Sequence, residues 1–420
     1  MRKSYWVASA LFHALLLQYA HGENTKSADK CAGYYDEVER NTLGPTTFLA
    51  ITSTGGKVLY TQVVDNSLAA DGRALALVDS GLTTPKDIAY DPKTARIFVA
   101  DFDAKMIVSY ELFVHVDDKM RKSLKIRGDR VVVAEDLRTA WLDLDHDGNL
   151  YFTSGSVVNK IDNSLLKDLF AGVLTASDLK TQSEVAAFYA AQQSQAEASN
   201  APPPVTQPVI VQLVSGLSAP TGIVTNGDQL YWGQANIANN TAEIVAAAAT
   251  PTGPDHRKTK LAYTVQPRIE GVAMNHNSIF FAAGGKVLKV PQSNNMQQNG
   301  VPAVPIAENL GNPRGLAWDH DGTLYIADGG ASTSGATGSM ISGMVYAVPS
   351  GATAVAPTQE VVPVDGAYGV TVISCADEGI EVVRSETDPD GSKSRHKLFL
   401  YTSIAVASVL LLIGAVVLRY

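Results

Sequence analysis

The sequence predicts an all-β protein, a six-bladed β-propeller that lies between an N-terminal export signal and a C-terminal membrane anchor. Two observations predict the propeller. First, five segments repeat one pattern of opening turn, short apolar strand, Asp/Asn/Gly turn and alternating apolar strand. Second, a sixth copy of the pattern is divided between the two ends of the repeat region, which indicates a closed ring.

The N-terminus has the anatomy of a secretory signal peptide. Arg2 and Lys3 precede an apolar run from Tyr5 to Ala20, and Ala20-His21-Gly22 is a small-x-small cleavage site. We therefore predict a signal peptide over residues 1–22. An uncleaved signal anchor is the alternative, which the shortness of the apolar run disfavours.

The C-terminus predicts a membrane anchor. Residues 398–418 carry no charge, and at roughly 1.5 Å per residue a helix of this length spans about one bilayer core. A single-pass type I orientation would place Lys393, Arg395 and Lys397 outside, against the positive-inside rule. A cleaved lipid-anchor (GPI) signal, with attachment within residues 390–392, is therefore the alternative. Residues 378–397 are predicted to form a stalk.

The charge balance disfavours nucleic acid as a partner. The formal net charge is −9, and no basic stripe with interleaved aromatic residues is present in the sequence. An acidic exterior suits a soluble ectodomain in the secretory pathway, at the cell surface or on a luminal membrane.

The repeats have the rhythm of propeller blades. Each repeat supplies two strands, a third strand follows, and a fourth often completes a unit of about 50 residues. The five repeats are "PKDIAYDPKTARIFVADFD" from Pro85, "RTAWLDLDHDGNLYFTSG" from Arg138, "PTGIVTNGDQLYWGQA" from Pro220, "PRIEGVAMNHNSIFFAAGG" from Pro267 and "PRGLAWDHDGTLYIADGG" from Pro313.

The sixth blade is predicted to close the ring. Residues 367–374 supply its first strand, residues 48–64 its second and third, and residues 74–79 its fourth. The propeller as a whole is predicted over residues 31–377. Closure removes the open sheet edges that would otherwise promote aggregation.

The two cysteines, Cys31 and Cys375, flank the ring. In a secreted chain, an even pair predicts a disulfide, which would hold the ring closed and contribute at most roughly 5 kcal/mol. Two unpaired buried thiols are the alternative. Asn239-Asn240-Thr241 is a glycosylation sequon, which predicts that Asn239 lies on an exposed loop.

An insertion over residues 164–207 is unlike the blades, being rich in Ala, Gln and Ser. Thr175 and Asp178 have capping-box spacing and predict a helix from about Asp178 to Glu197, ended by the prolines at 202–204. The helix is interpreted either as a flap that rests on its own propeller or as an element that docks a partner.

The phrases Pro-x-Gly-(Ile/Leu)-Ala-x-Asp and (Leu/Ile)-Tyr-x-Ala-Asp resemble those of NHL-repeat propellers, over roughly residues 45–375. Gluconolactonase-like and strictosidine-synthase-like propellers have a related rhythm. The resemblance implies the six-bladed architecture and says little about activity.

The "DHDG" phrases are interpreted as turns. Asp143, Asp145 and Asp147 have the spacing of a calcium loop, but position twelve of that loop is Ser154 instead of the required Glu. Asp and Asn favour turns because their side chains bind their own backbone. His146 and His320 lie in units on opposite sides of the ring, so they cannot share one zinc ion.

The gluconolactonase-like resemblance implies a calcium ion in the central channel, where it would polarise an ester or lactone. The candidate ligands here are Asp87, Asn226, Glu270 and Asn275. Arg268 and Arg314 would repel such a cation at the channel mouth. No Gly-x-Ser-x-Gly, His-Glu-x-x-His or phosphate-loop motif is present in the sequence.

We therefore expect a membrane-anchored, non-enzymatic module that binds a protein or a small molecule without a cofactor. The candidate ligand-binding residues at the channel mouth are Asp87, Arg268, Glu270 and Arg314. One alternative is a calcium-dependent lactonase or esterase, and another is a structural subunit of a membrane complex. Convergence of the two arginines would favour the binding of an anionic group.

Overall fold

The computed structural model of the protein describes residues 46–64, 67–69, 72–119, 121–182, 184, 185, 187, 208–250, 258–292, 301–330, 342–374 and 379–384. The predicted signal peptide at 1–22, the predicted span at 398–418 and both cysteines lie outside this set. Among the described residues, no helix is long and apolar enough to span a membrane.

The described part of the chain is almost entirely β-structure. Its strands are β1 Thr47–Ser53, β2 Lys57–Val64, β3 Ser67–Ala69, β4 Leu75–Val78, β5 Pro85–Asp91, β6 Arg96–Asp101, β7 Met106–Val116, β8 Lys122–Ala134, β9 Thr139–Leu144, β10 Leu150–Ser154, β11 Val157–Ile161, β12 Lys180–Thr181, β13 Val209–Val214, β14 Pro220–Thr225, β15 Gln229–Asn236, β16 Thr241–Ala248, β17 Thr259–Thr264, β18 Val272–Met274, β19 Ser278–Ala283, β20 Lys286–Pro291, β21 Val301–Pro302, β22 Val304–Ala307, β23 Pro313–Trp318, β24 Thr323–Asp328, β25 Met344–Pro349, β26 Gln359–Pro363, β27 Ala367–Ser374 and β28 Glu381–Arg384. The α-helix α1 spans Asn163–Phe170, and the described residues 182, 184, 185 and 187 are also helical.

These strands form six sheets, which confirms the predicted six-bladed propeller. From the axis outwards, blade 1 is β27-β1-β2-β4, blade 2 is β5-β6-β7-β8 and blade 3 is β9-β10-β11-β13. Blade 4 is β14-β15-β16-β17, blade 5 is β18-β19-β20-β22 and blade 6 is β23-β24-β25-β26. The six innermost strands contact one another in the order β27, β5, β9, β14, β18, β23 and back to β27, so the ring is closed.

The predicted closure by both ends of the chain is confirmed. Strand β27 pairs antiparallel with β1, from Thr47 opposite Ser374 to Ser53 opposite Ala367. Blade 1 therefore takes its innermost strand from the C-terminal side of the repeats and its other strands from the N-terminal side. This pairing covers the edge that an open ring would leave exposed.

The core is divided into six clusters, one between each pair of neighbouring blades. Strand β1 shows how one strand serves two clusters. Phe48 and Ala50 face blade 2, whereas Leu49 and Ile51 face blade 6, and all four are fully buried. Because both faces of β1 pack against a neighbouring sheet, the sequence of this strand lacks the apolar–polar alternation of a half-exposed strand.

The turn between the first and second strands follows one rule in five blades. A side-chain oxygen of its first residue accepts the backbone N–H two residues later, which confirms the interpretation of the "DHDG" phrases as turns. The residues are Asp91, Asp145, Asn226, Asn275 and Asp319.

The Asp that ends the second strand in blades 2 and 6 fixes the loop that enters its blade. Buried Asp101 accepts the N–H groups of Thr83 and Thr84. Asp328 is also buried and accepts the N–H groups of Gly311, Asn312 and Gly330. The Ala-Asp phrase of the repeat is therefore a structural feature.

The insertion begins with α1, whose Leu166 and Leu169 are buried in the cluster between blades 2 and 3. The capping box of Thr175 and Asp178 is present, around a short 3-10 helix at Ala176–Asp178. The prediction of one continuous helix from Asp178 is wrong at its start, because β12 pairs parallel with β13 there. After β12, residues 182, 184, 185 and 187 are helical, in agreement with the prediction, and residues 188–197 lie outside the described set.

The chain continues in the propeller after the ring is closed. Residues 378–397 were predicted as a stalk, but residues 381–384 within that range form β28, which pairs parallel with β7 of blade 2. Ile380 is fully buried in the cluster between blades 1 and 2.

Candidate functional site

Four glycines on the innermost strands form part of a ring around the axis, and each lies against the backbone of a neighbouring blade. Gly222, Gly271, Gly315 and Gly369 hold equivalent places in blades 4, 5, 6 and 1. The N–H of Gly271 donates to the carbonyl oxygen of Arg314 at 3.0 Å, and a Cβ on Gly271 would overlap that oxygen. Glycine is therefore required by close backbone approach.

The residues that precede this ring lie at the start of the innermost strands. We call this end of the disc the mouth face, and the end that carries the first-to-second strand turns the opposite face. The mouth-face residues are Tyr368, Lys86, Ala140, Thr221, Glu270 and Arg314, in blade order from 1 to 6.

Charged side chains converge on Glu270 at the mouth face. Oε1 of Glu270 lies 3.0 Å from Nε of Arg268 and 2.7 Å from Nη1 of Arg314. Nζ of Lys86 lies 4.3 Å from the ring centroid of Tyr368, and Cζ of Arg314 lies 5.3 Å from the same centroid. We call these five residues the mouth cluster.

The mouth cluster has an excess of positive charge, since it holds three cations and one carboxylate. Burial lowers the pKa of Lys86, and the neighbouring Arg314 lowers it further. Burial also raises the pKa of Tyr368, so its phenol stays neutral at physiological pH. The cluster is thus a positively charged site beside the ring of Tyr368. Trp141 packs against that ring at a centroid distance of 5.3 Å.

Among the residues that the structure describes, three buried polar atoms near this level have no hydrogen-bond partner. They are Oε2 of Glu270, Oγ1 of Thr221 and Nε1 of Trp141, all on or beside the innermost strands of blades 3 to 5. Buried polar atoms are nearly always satisfied by protein or by an ordered molecule.

Two carboxylates lie further along the innermost strands than the mouth-face residues, on the surface that we call the axis wall. In blade 2, Asp87 stands at the position that glycine holds in blades 4, 5, 6 and 1. Its Oδ2 accepts the N–H of Leu142 at 3.1 Å. In blade 3, Oδ2 of Asp143 accepts the N–H of Thr225 at 2.8 Å. Removal from bulk water raises the pKa of each carboxyl to about 7, and the charge of Asp87 adds to the effect at Asp143.

The structure brings together Arg268, Glu270 and Arg314 of the predicted mouth residues, and Asp87 lies close enough to Tyr368 to raise its pKa. The four predicted calcium ligands do not converge. Asn226 and Asn275 lie at the opposite face, where their side-chain oxygens accept turn N–H groups. Within the ranges that the structure describes, no group of three or more His, Cys, Asp or Glu side chains could hold a metal ion.

Sequence reasoning missed Lys86, Tyr368 and Asp143. Lys86 follows Pro85 as Arg314 follows Pro313, so an alignment of the repeats shows the place of Lys86. Tyr368 stands in the divided blade, where no proline marks the start of the strand.

Asn239 of the sequon is exposed, as predicted, in the turn between β15 and β16.

Comparisons with known proteins support the fold alone. No family model and no curated protein matches the chain, so the NHL-repeat resemblance stays a prediction. Among solved structures, a chain of a nidogen/laminin complex is similar at 16% identity and a TM-score of 0.51, over 78% of this chain and 98% of that one. A gluconolactonase from Xanthomonas campestris is similar at 10% identity and a TM-score of 0.42, over 78% and 90%. The calcium-binding protein regucalcin from Agrobacterium tumefaciens is similar at 12% identity and a TM-score of 0.37, over 70% and 80%.

Proposed function

We propose that the protein is a membrane-anchored propeller of the secretory pathway that binds, without catalysis, a ligand or partner carrying an anionic group. The observation that supports this function is the convergence of Arg268 and Arg314 on one oxygen of Glu270, with Lys86 beside them. The propeller supplies a rigid ring, and the mouth cluster supplies the recognition.

The charges of the cluster define the ligand class. Three cations and one carboxylate leave a net charge of +2, which a phosphate or a dicarboxylate would neutralise. Arg guanidinium groups bind such oxyanions through paired N–H donors.

Membrane anchoring in this proposal depends on the sequence of residues 398–418, and export depends on residues 1–22. The ligand would then be met at the cell surface or in a lumen. Anchoring and ligand binding are separate parts of the proposal and are tested separately.

Calorimetric titration of the purified protein with inorganic phosphate and with L-malate, a hydroxy dicarboxylate, tests the binding. We expect both anions to bind the wild-type protein, and Arg314→Gln to weaken binding at least tenfold. Arg121→Gln is the matched control, because Arg121 is an exposed cation at the tip of the β7–β8 hairpin, paired with Asp117. Failure of the wild type to bind either anion, or equal binding by Arg314→Gln, would contradict the function.

The calcium-dependent hydrolase is the second candidate, and the carboxylates of Asp87 and Asp143 on the axis wall are the observation that favours it. Two observations count against it. Each carboxylate already accepts a backbone N–H through one oxygen. The amide candidates Asn226 and Asn275 lie at the opposite face. A thermal melt with EDTA and with excess calcium separates the two functions. A non-enzymatic binding module predicts that calcium does not change the melting temperature. A calcium site occupied at 100 times its Kd would add about 2.7 kcal/mol to the free energy of unfolding and raise the melting temperature.

A further inference from the structure

The chain enters and leaves the ring on the face opposite the mouth cluster. Lys86, Glu270, Arg314 and Tyr368 stand at the beginnings of the innermost strands. Ser374 stands at the end of the innermost strand β27 and pairs with Thr47, where the first described strand begins.

The segment after the ring stays on that opposite face. The N–H of Gly379 donates to the carbonyl oxygen of Pro92 at 2.8 Å, and Pro92 lies in the first-to-second strand turn of blade 2. A side chain at position 379 would overlap the backbone of Lys93 and Ala95. Ile380 then fills the core between blades 1 and 2. These contacts fix the direction in which the chain leaves.

Strand β28 leads away from the disc. Strand β6 begins with Arg96 opposite Glu111, so the part of β7 from Phe113 to Val116 continues beyond the sheet of the blade. Strand β28 pairs parallel with this projecting part, from Glu381 opposite Phe113 to Arg384 opposite Val116. An ion pair of 2.7 Å between Arg127 on β8 and Glu381 ties β28 to the hairpin.

The remaining chain is short in relation to the path around the disc. Residues 385–397 separate β28 from the predicted span, and 13 residues reach at most about 45 Å when fully extended. A return to the mouth face would cover the projecting part of β7 and the height of a blade, roughly 35 Å at about 3.3 Å per residue, before any sideways path. Residues 385–397 would therefore have to be nearly fully extended to reach a membrane at the mouth face. They reach a membrane at the opposite face without such extension.

We propose that β28 orients the propeller on its membrane, with the opposite face toward the bilayer and the mouth cluster toward the aqueous compartment. The mouth cluster then takes a soluble anionic ligand and is held away from the lipid headgroups of the same membrane. This inference rests on the anchoring part of the proposed function.

Energy transfer from the disc to the membrane tests the orientation. The full chain is reconstituted in phosphatidylcholine vesicles that contain a lipid with an acceptor dye on its headgroup. A donor dye is attached through an azide-bearing phenylalanine analogue at one of two exposed positions of blade 4. These are Ile237, in the β15–β16 turn on the mouth face, and Asp228, in the β14–β15 turn on the opposite face. Strand β15 separates the two labels by roughly 25 Å.

We expect clearly stronger transfer from the label at Asp228 than from the label at Ile237. Equal transfer, or stronger transfer from Ile237, would overturn the orientation. Failure of the chain to associate with vesicles would overturn the anchoring on which the orientation rests. Phosphate titration reports separately on the mouth cluster, so loss of the ligand function is distinguishable from loss of the orientation.

The role of β28 is tested by detaching it. Ile380→Asp places a charge in the core under β28, and we expect it to shrink the difference between the two labels while phosphate binding persists. Glu381→Arg, which opposes Arg127, is the milder variant for use if Ile380→Asp does not fold. An unchanged difference in a folded variant whose segment after residue 374 has become protease-sensitive would show that β28 does not set the orientation.

Discussion

Arg314 and Glu270 form an ion pair of 2.7 Å that joins blade 6 to blade 5 at the mouth face. The side chain of Glu270 is mostly buried, with 14% of its surface exposed, and the same oxygen also contacts Arg268. A single carboxylate thus holds two guanidinium groups near the axis. It also competes with any anionic ligand for their donors, which gives Glu270 a predictable effect on binding.

Glu270→Gln is expected to tighten phosphate binding. The change raises the net charge of the mouth cluster from +2 to +3 and keeps the shape of the side chain. We expect a threefold to tenfold lower Kd, which corresponds to about 0.7–1.4 kcal/mol, and a steeper dependence on salt. Glu243→Gln is the matched control, because Glu243 is 15% exposed and pairs with Lys260 on blade 4. Weaker binding by Glu270→Gln would show that Glu270 positions the arginines more than it competes for them.

Gly271→Ala is expected to destabilise the propeller. Its methyl group would overlap the carbonyl oxygen of Arg314 and break the hydrogen bond between the innermost strands of blades 5 and 6. We expect a loss of about 2–4 kcal/mol in the free energy of unfolding, measured by urea denaturation. Gly322→Ala is the control, since a Cβ there meets no atom within 4 Å, and its effect should stay within about 0.5 kcal/mol. Equal stability of the two variants would contradict the close-approach argument.

The architecture was predictable because its boundary signals are local. A turn that opens with Asp or Asn recurs in five blades, and the Pro-x-Gly start and the Ala-Asp end recur in two blades each. Closure by β27 and β1 was also predictable, since the divided repeat lacked complementary strands at its two ends. The start of the insertion was not predictable in this way, because β12 pairs with a strand beyond the insertion and α1 is held by packing on blades 2 and 3.

The mouth cluster was predictable in part. Arg268, Glu270 and Arg314 lie at recognisable strand starts, so their convergence follows once the ring is closed. The calcium candidates Asn226 and Asn275 lie in turns at the opposite face, away from Glu270. Asp143 was missed because it stands beside "DHDG" and was interpreted as part of a turn, whereas it belongs to β9.

Asp328→Ala is expected to destabilise blade 6. The carboxylate accepts three backbone N–H groups and is buried, so its removal leaves those donors without a partner. A buried donor that loses its acceptor costs about 1–3 kcal/mol, and we expect a total loss of roughly 3 kcal/mol in urea denaturation. Asp321→Ala, in the exposed turn before β24, should cost about 0.5 kcal/mol or less. Similar losses in both variants would indicate that the loop before β23 finds other acceptors.

The axis-wall carboxylates give the stability of the protein a defined pH dependence. The pKa of Asp87 is raised from 3.8 to about 7 in the folded state, so between these values the folded protein binds more protons than the unfolded chain. Stability therefore falls as the pH rises from about 4 to about 7 and is level above that range, as far as this group determines it. Asp143 contributes in the same direction, because its pKa is also raised to about 7.

Asp87→Asn is expected to stabilise the protein at pH 8 and to have little effect near pH 4. Asparagine keeps an oxygen that accepts the N–H of Leu142 but removes the charge that is costly on the axis wall. Because one pKa unit corresponds to about 1.4 kcal/mol and the side chain keeps some exposure, the gain at pH 8 should be on the order of 1–3 kcal/mol. Urea denaturation of the variant and the wild type across this pH range measures the difference. Asp228→Asn, in an exposed turn, controls for the loss of one negative charge and should show no such trend. A gain that is the same at pH 4 and pH 8 would mean that Asn fits the site better for reasons of packing, and that the charge of Asp87 is not what destabilises the ring.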